Sequence, residues 1–259
     1  MTKVLSINRF TGIETRASIG NVDHPIVNGP TPPSIKELDD LFREDGVRLA
    51  VGACKKAIQE WGGDVSHITH MVSTTCTNSA NPGYDHFVRK QLGVKSNTEN
   101  ILLHGIGCSG GLAAIRTACN LALGASYRRK PARVLVTACE IATPLFRSEL
   151  DSVQKEEAVR IGVCLFSDGA SACIVSNDIG LGPHDRPVYD IAGWKHDIIE
   201  DSEKDLGFDV DPDGTYTYAT EGERSLERDR LEGCAHTSGS KSDPRCCCTR
   251  FRRAPAINT

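Results

Sequence analysis

The chain has 259 residues, 39% of them hydrophobic, and its 30 Lys+Arg against 34 Asp+Glu leave a net charge of −4 with no basic stripe, which excludes a typical nucleic-acid partner. No apolar run approaches membrane-spanning length and Met1-Thr2-Lys3-Val4 lacks a signal-peptide pattern, so the expectation is a soluble, cytoplasmic protein with no membrane partner. Eleven Cys, an odd number, with Cys119, Cys139, Cys164 and Cys173 inside Ala/Val/Ile/Leu-rich segments, disfavour a disulfide scaffold.

Pro32-Pro33-Ser34 is a helix start, and the apolar stripe from Ile35 through Ile58 predicts one long helix, or two joined near Gly46, ended by Trp61-Gly62-Gly63. Ile68 to Ser73 reads as a strand. A polar loop from Thr74 to Asn81 follows, then a helix opened by Pro82 and closed at Leu92-Gly93. Ile101 to His104 is the next short strand, and it runs into Gly105-Ile106-Gly107-Cys108-Ser109-Gly110-Gly111. The helix from about Leu112 to Leu123 is small and apolar almost all round, which places it inside a domain. Arg133 to Cys139 and Ala170 to Ser176 are the continuous β-branched runs of buried strands. This order gives an α/β layered fold. From Asp213 to Thr259 only Leu226, Leu231 and Ile257 are aliphatic, too little apolar surface to offset the entropy of ordering, so 1–212 is the folded domain and 213–259 a divergent tail expected to be disordered.

A Cys among four glycines between a buried strand and a buried helix is placed for chemistry. Glycines permit a tight turn and close backbone approach, and a helix N-terminus offers unpaired N–H groups and partial positive charge. A thiolate there is a nucleophile suited to an acyl carbonyl, and turn amides suit its oxyanion. The alternative is a structural Cys in a glycine-rich turn. Gly105-x-Gly107-x-x-Gly110 also fits the dinucleotide fingerprint, but Arg128-Arg129-Lys130 stands where an acidic residue belongs. A phosphate-binding P-loop motif is absent from the sequence.

Thr75-Cys76-Thr77-Asn78, Pro82-Gly83-Tyr84-Asp85, Gly107-Cys108-Ser109-Gly110-Gly111, Val134 to Ile141 and Leu165-Phe166-Ser167-Asp168-Gly169-Ala170 follow one another in a recognisable order. In order and spacing they resemble type III polyketide synthases, the chalcone and stilbene synthase-like enzymes of the thiolase superfamily, closest to fungal members. The resemblance runs from Ile7 to about Pro212 and implies a homodimer of layered αβαβα subunits, here mainly the N-terminal half of that fold. It implies an acyltransferase whose Cys is loaded from a starter acyl-CoA and extended by decarboxylative condensation with malonyl-CoA, with no cofactor and no metal. Cys108 matches the nucleophile and Phe166 the gating Phe, for which core packing is the other reading. Cys76, Thr77, Glu140, Leu145, Gly162 and Ser167 match cavity-lining positions, where small residues suit a fatty acyl starter, and Asn81 matches the dimer interface. Glu140 taken alone reads equally as a strand-end surface carboxylate. Lys3 aligns weakly with a CoA-phosphate lysine and reads better as a solvated terminal residue.

The family's His and Asn find no matching motif here. His236 lies in Gly233-Cys234-Ala235-His236-Thr237 without the expected context, and the resemblance stops after Asp211-Pro212. Such an abrupt change is what a frameshift or a retained intron produces, and the start also lacks the family's first strand and helix. Condensation is therefore expected to fall by orders of magnitude, with only weak self-acylation of Cys108 surviving. Losing most of the second half is expected to expose an apolar face that aggregates or borrows a partner. Cys234, His236, Cys246 and Cys248 are zinc-ligand types without chelating spacing. Two alternatives stand beside the main reading: an initiating ketoacyl-ACP synthase, and a non-catalytic paralogue that binds an intact synthase.

Overall fold

The computed structural model describes residues 2–21, 23–156, 160, 162–182, 186–196, 206–211, 214–219 and 249–253. Helix α1 (Thr2–Phe10) is followed by the short α2 (Pro25–Asn28) and by α3 (Ile35–Leu41). Ser34 caps α3, its hydroxyl accepting from Glu37 N while Glu37 reaches back to the Ser34 N–H. A π-helical turn, Phe42–Gly46, joins α3 to α4 (Val47–Trp61), which settles the choice between one helix and two. The wider turn brings Gly46 onto the buried Phe42 ring, where a Cβ would lie 2.9 Å from Cδ1. Gly62, at φ 75°, ends α4 as expected.

Strand β1 (His70–Thr74), α5 (Tyr84–Leu92), β2 (Glu99–Leu103), α6 (Gly110–Tyr127) and β3 (Arg133–Glu140) come next. Helix α5 starts two residues after Pro82 because Gly83 is still extended at the N-cap. After α7 (Phe146–Glu156) and α8 (Gly162–Leu165), β4 (Gly169–Ser176) completes a sheet of order β2-β1-β3-β4. Strands β1, β2 and β3 are parallel, and β4 runs antiparallel to β3 from Arg133↔Ser176 to Glu140↔Gly169. All four strands anticipated from the sequence are present, each within two residues at its start.

Alternation along the strands divides the core between two faces. Met71, Leu135 and Cys139 pack with Phe42, Val47, Ala50, Cys54 and Val88 of the α4/α5 layer. Val72, Val134 and Val136 pack on Ala114, Ala118 and Cys119 of α6. The described residues thus form an α–β–α sandwich, three of the five layers expected. Leu112, Leu123 and Tyr127 of α6 stay exposed, Tyr127 at 92%. Val4 of α1 packs with Val153, Val163 and Cys164.

Beyond the sheet, β5 (Tyr189–Trp194) pairs antiparallel with β8 (Thr249–Arg253), and β6 (Leu206–Asp211) with β7 (Gly214–Ala219). Two segments of the stretch expected to be disordered therefore carry strand ladders, and the β6–β7 pair, Asp211↔Gly214 at its tip, spans the expected boundary at 212. Backbone pairing needs little apolar surface, and Thr-Tyr-Thr-Tyr within β7 has high strand propensity. The other residues of that stretch, His236 and the other three zinc-ligand candidates among them, lie outside the described residues. No described helix is long and apolar enough to cross a membrane.

Tyr84 ties the sheet to α5: its buried hydroxyl donates to Thr74 O, at the end of β1, at 2.9 Å and lies 3.3 Å from Thr137 O within β3. Its ring meets Phe42 edge-on at 5.6 Å. Replacing Tyr84 by Phe keeps the packing and removes the donor, and is expected to cost about 1–2 kcal/mol, read as a lower urea midpoint at unchanged slope.

Candidate active site

The strand order reverses between β1 and β3, and in open α/β sheets the crevice at such a reversal, outside the carboxyl ends of the strands, is where ligands bind. Three connections leave the sheet at this edge: 75–83 after β1, 104–109 after β2 and 141–145 after β3. All but one of the predicted site residues lie in these segments, at the end of β3 or beside β4, and Gly162 begins α8.

The elbow after β2 is built by glycine. Gly105 and Gly107 have φ of 71° and 68°, values that side chains resist. A 3₁₀ turn, Gly107–Ser109, precedes α6, so Cys108 stands at the centre of that turn and one step before the helix. Gly110 lets the start of α6 close on β1, since a Cβ there would come within 2.5 Å of Thr74 Oγ1. Cys108 is exposed, which removes the buried structural-Cys reading, while Cys54, Cys119, Cys139 and Cys164 are buried.

Glu140 ends β3 half-buried and is no free surface carboxylate. It accepts from Cys76 N at 2.9 Å, Thr77 N at 3.1 Å, Thr77 Oγ1 at 2.7 Å and Thr75 Oγ1 at 3.1 Å. Thr77 Oγ1 in turn accepts from Ile141 N at 3.0 Å. These bonds fold the loop after β1 onto the end of β3. Burial pushes the Cys76 thiol up to about 12, and the Glu140 carboxylate and the neighbouring Cys108 sulfur add to the rise. Cys76, Thr77, Glu140 and Cys108 are thereby brought together.

Leu145, Phe166 and Ser167 belong to a second group, organised by a residue that the sequence reading quoted only inside a motif. Asp168, 6% exposed, accepts from Ala142 N and Ile19 N at 2.7 Å each, Thr143 N at 2.8 Å and Thr143 Oγ1 at 2.5 Å. Leu145 is buried, Phe166 half-buried and Ser167 exposed. Asn81 is exposed in the loop ahead of α5. Gly162 is buried with its Cα against Glu149, and a Cβ there would overlap the Glu149 carboxylate, so its smallness serves packing on a buried acid. Glu149, 1% exposed, also accepts from Val163 N at 2.9 Å. The Lys3 side chain lies outside the described residues. Among the described residues no cluster of His, Cys, Asp or Glu could hold a metal ion.

Comparison with known proteins follows this geometry. The family described as "Chalcone and stilbene synthases, N-terminal domain" matches residues 14–179, and the chain belongs to it. The acylalkylpyrone synthase csyB of Aspergillus oryzae is 43% identical over 215 residues, 83% of this chain and 54% of that protein. The crystal structure of a fungal type III polyketide synthase, ORAS, superposes with a TM-score of 0.86 at 56% identity, covering 90% of this chain and 62% of the other. CsyB complexed with CoA-SH superposes at 0.84 with 42% identity, over 87% and 60% of the two chains. The thiolase-like fold and the family read from the motifs are thereby confirmed. The chain spans about half the length of the curated relatives it matches.

Three predictions follow from these contacts. Iodoacetamide at pH 8 is expected to label Cys108 first and leave Cys76 largely unmodified, with Cys76 labelling rising about tenfold per pH unit as its thiolate fraction grows; peptide mass mapping reads the order. Because the raised thiol values of Cys54, Cys76 and Cys139 mean that the folded chain holds those protons more tightly than the unfolded one, their contribution to stability is complete below about 8.5. It is lost as pH rises through the folded values near 11 and 12. Gly162→Ala forces an overlap with a buried carboxylate and is expected to cost about 1–3 kcal/mol, measured by denaturant unfolding.

Proposed function

We propose that this chain is the Cys-bearing part of a type III polyketide synthase, and that Cys108 is its acyl acceptor. The observation that carries the reading is the exposed Cys108 on a glycine elbow, beside the Cys76–Thr77–Glu140 loop, at the sheet edge where the strand order reverses. The Cys108 sulfur, as thiolate, attacks the thioester carbonyl of an acyl-CoA. The carbon–sulfur bond to CoA breaks, CoA leaves as the thiolate and takes up the proton, and the acyl group stays on Cys108 as a new thioester. Extension follows when malonyl-CoA loses CO₂ and the resulting enolate carbon attacks that thioester, returning the Cys108 thiolate and giving a β-ketoacyl-CoA.

The family match favours acyl-CoA over a carrier-bound donor. One relative, CsyB, is named an acylalkylpyrone synthase and has been solved with CoA-SH, and that name supports a fatty starter here. Phe166 would close the acyl path against water, a role suited to its flat apolar ring. Cys76, Thr77, Leu145 and Ser167 would border that path. Exposed apolar side chains on α6 support assembly as a homodimer, with Asn81 at or near the contact.

The test is intact mass of the purified chain after incubation with palmitoyl-CoA. One acyl mass is expected on the native chain and none on Cys108→Ser; an equal adduct on the variant would overturn the assignment. Phe166→Ala is expected to raise the hydrolysis rate of the acyl-enzyme several-fold, on the order of the loss of one water-excluding side chain, as followed by decay of the adduct mass.

A further inference from the structure

Asp168 occupies a position that the proposed chemistry does not use. It stands one residue before Gly169, whose pairing with Glu140 is the last rung of the β3–β4 ladder. Beyond that rung the ladder stops, and Asp168 takes over by collecting N–H groups from two separate segments. Oδ1 accepts from Ala142 N and Thr143 N, and Oδ2 accepts from Ile19 N and the Thr143 hydroxyl. Its own N–H donates to Ala17 O at 2.9 Å. Having given its proton to Asp168, the Thr143 hydroxyl accepts from Ser18 Oγ at 2.9 Å.

The strap 16–19 completes the arrangement. Arg16 Nη1 donates to Val163 O at 2.6 Å and reaches Phe166 O at 3.5 Å, and its guanidinium lies over the Phe146 ring at 5.5 Å. Phe166 is therefore held from both ends of a three-residue reach, by Arg16 on its own carbonyl and by Asp168 two residues on. Leu145 sits two residues past Thr143 on the other arm, and Glu140 two residues before Ala142. One carboxylate thus fixes the spacing between the Phe166 segment, the Leu145 wall and the end of β3. A buried carboxylate with four donors is a rigid node, because losing any one donor leaves charge unmatched in a dry site.

We propose that Asp168, acting through Thr143, is a positioning residue that sets the separation of Phe166 from Leu145 and so selects the acyl chain length that Cys108 accepts. This rests on the reading of Cys108 as acyl acceptor and of Phe166 as its gate. Thr143, 2% exposed, is the lever for a test, since Val replaces it with the same branched shape and no hydroxyl.

The native chain, Thr143→Val and Thr143→Ser are each incubated with hexanoyl-, decanoyl- or palmitoyl-CoA, and the rate of adduct formation on Cys108 is read by intact mass. The native chain is expected to discriminate among the three donors. Thr143→Val should flatten that discrimination by about tenfold, the size of one charge-assisted hydrogen bond, and Thr143→Ser should restore it. Native-like discrimination in Thr143→Val, no discrimination in the native chain, or no rescue by Ser would each overturn the proposal. Absence of any adduct on the native chain is a different failure, that of Cys108 as acceptor, and this inference falls with it. Should Thr143→Val not fold, Ser18→Ala leaves the Asp168–Thr143 bonds in place while removing the outer bond and an exposed bond from Gly20 N, and is expected to shift discrimination about threefold in the same direction; no shift overturns the proposal.

Discussion

A sheet that ends leaves backbone N–H groups without partners, and the architecture around Cys108 depends on how two carboxylates receive them. Glu140 and Asp168 flank the final rung of the β3–β4 ladder, Glu140 within it and Asp168 just past it. Glu140 takes the amides of Cys76 and Thr77, which turns the loop after β1 across the end of β3. Asp168 takes those of Ile19, Ala142 and Thr143. Charged acceptors suit this place better than amides or hydroxyls, because each carboxylate offers several acceptor sites and carries no donor to clash with an incoming N–H. The loops that border the elbow are thus held by electrostatics in a half-dry setting, while apolar packing holds the layers behind them.

Those layers were largely legible from the residues. Helix α4 announced itself through periodicity, α6 through a run of small apolar residues, β3 through a continuous β-branched run, and the elbow through glycines whose positive φ confirms the reason for their presence. The boundary between α3 and α4 was ambiguous because a π-helical turn preserves the apolar stripe while adding a residue to the turn. Cys108 was legible for the same reason as the elbow: local chain chemistry and local structure coincide there.

Asp168 and Gly162 were not legible in that way. A single Asp in Ser-Asp-Gly has no period, and its partners lie 149 and 25 or 26 residues away in sequence. Its function as a node exists only once the strap, the post-β3 loop and β4 meet. Gly162 reads in the sequence as a small residue at a lining position, and its closeness to Glu149, which stands where a Cβ would be, could not be read there. Small residues mark close approach, and the sequence does not say by what. Glu140 lay between these cases: its place at a strand end was visible, and its loop partners were not.

The distribution of sulfur gives the fold an order of vulnerability. Cys54 and Cys139 are buried with thiol values raised by burial to about 11 and 12, and Cys164 and Cys119 are buried as well. Peroxide attacks thiolates that solvent can reach, and a protonated core thiol offers neither property. Cys108 alone among the free cysteines of the described residues is exposed. Oxidative stress is therefore expected to strike the proposed acyl acceptor long before the packing of the layers, and the folded chain would keep its shape and its contacts after the Cys108 sulfur has become a sulfenic or sulfinic acid.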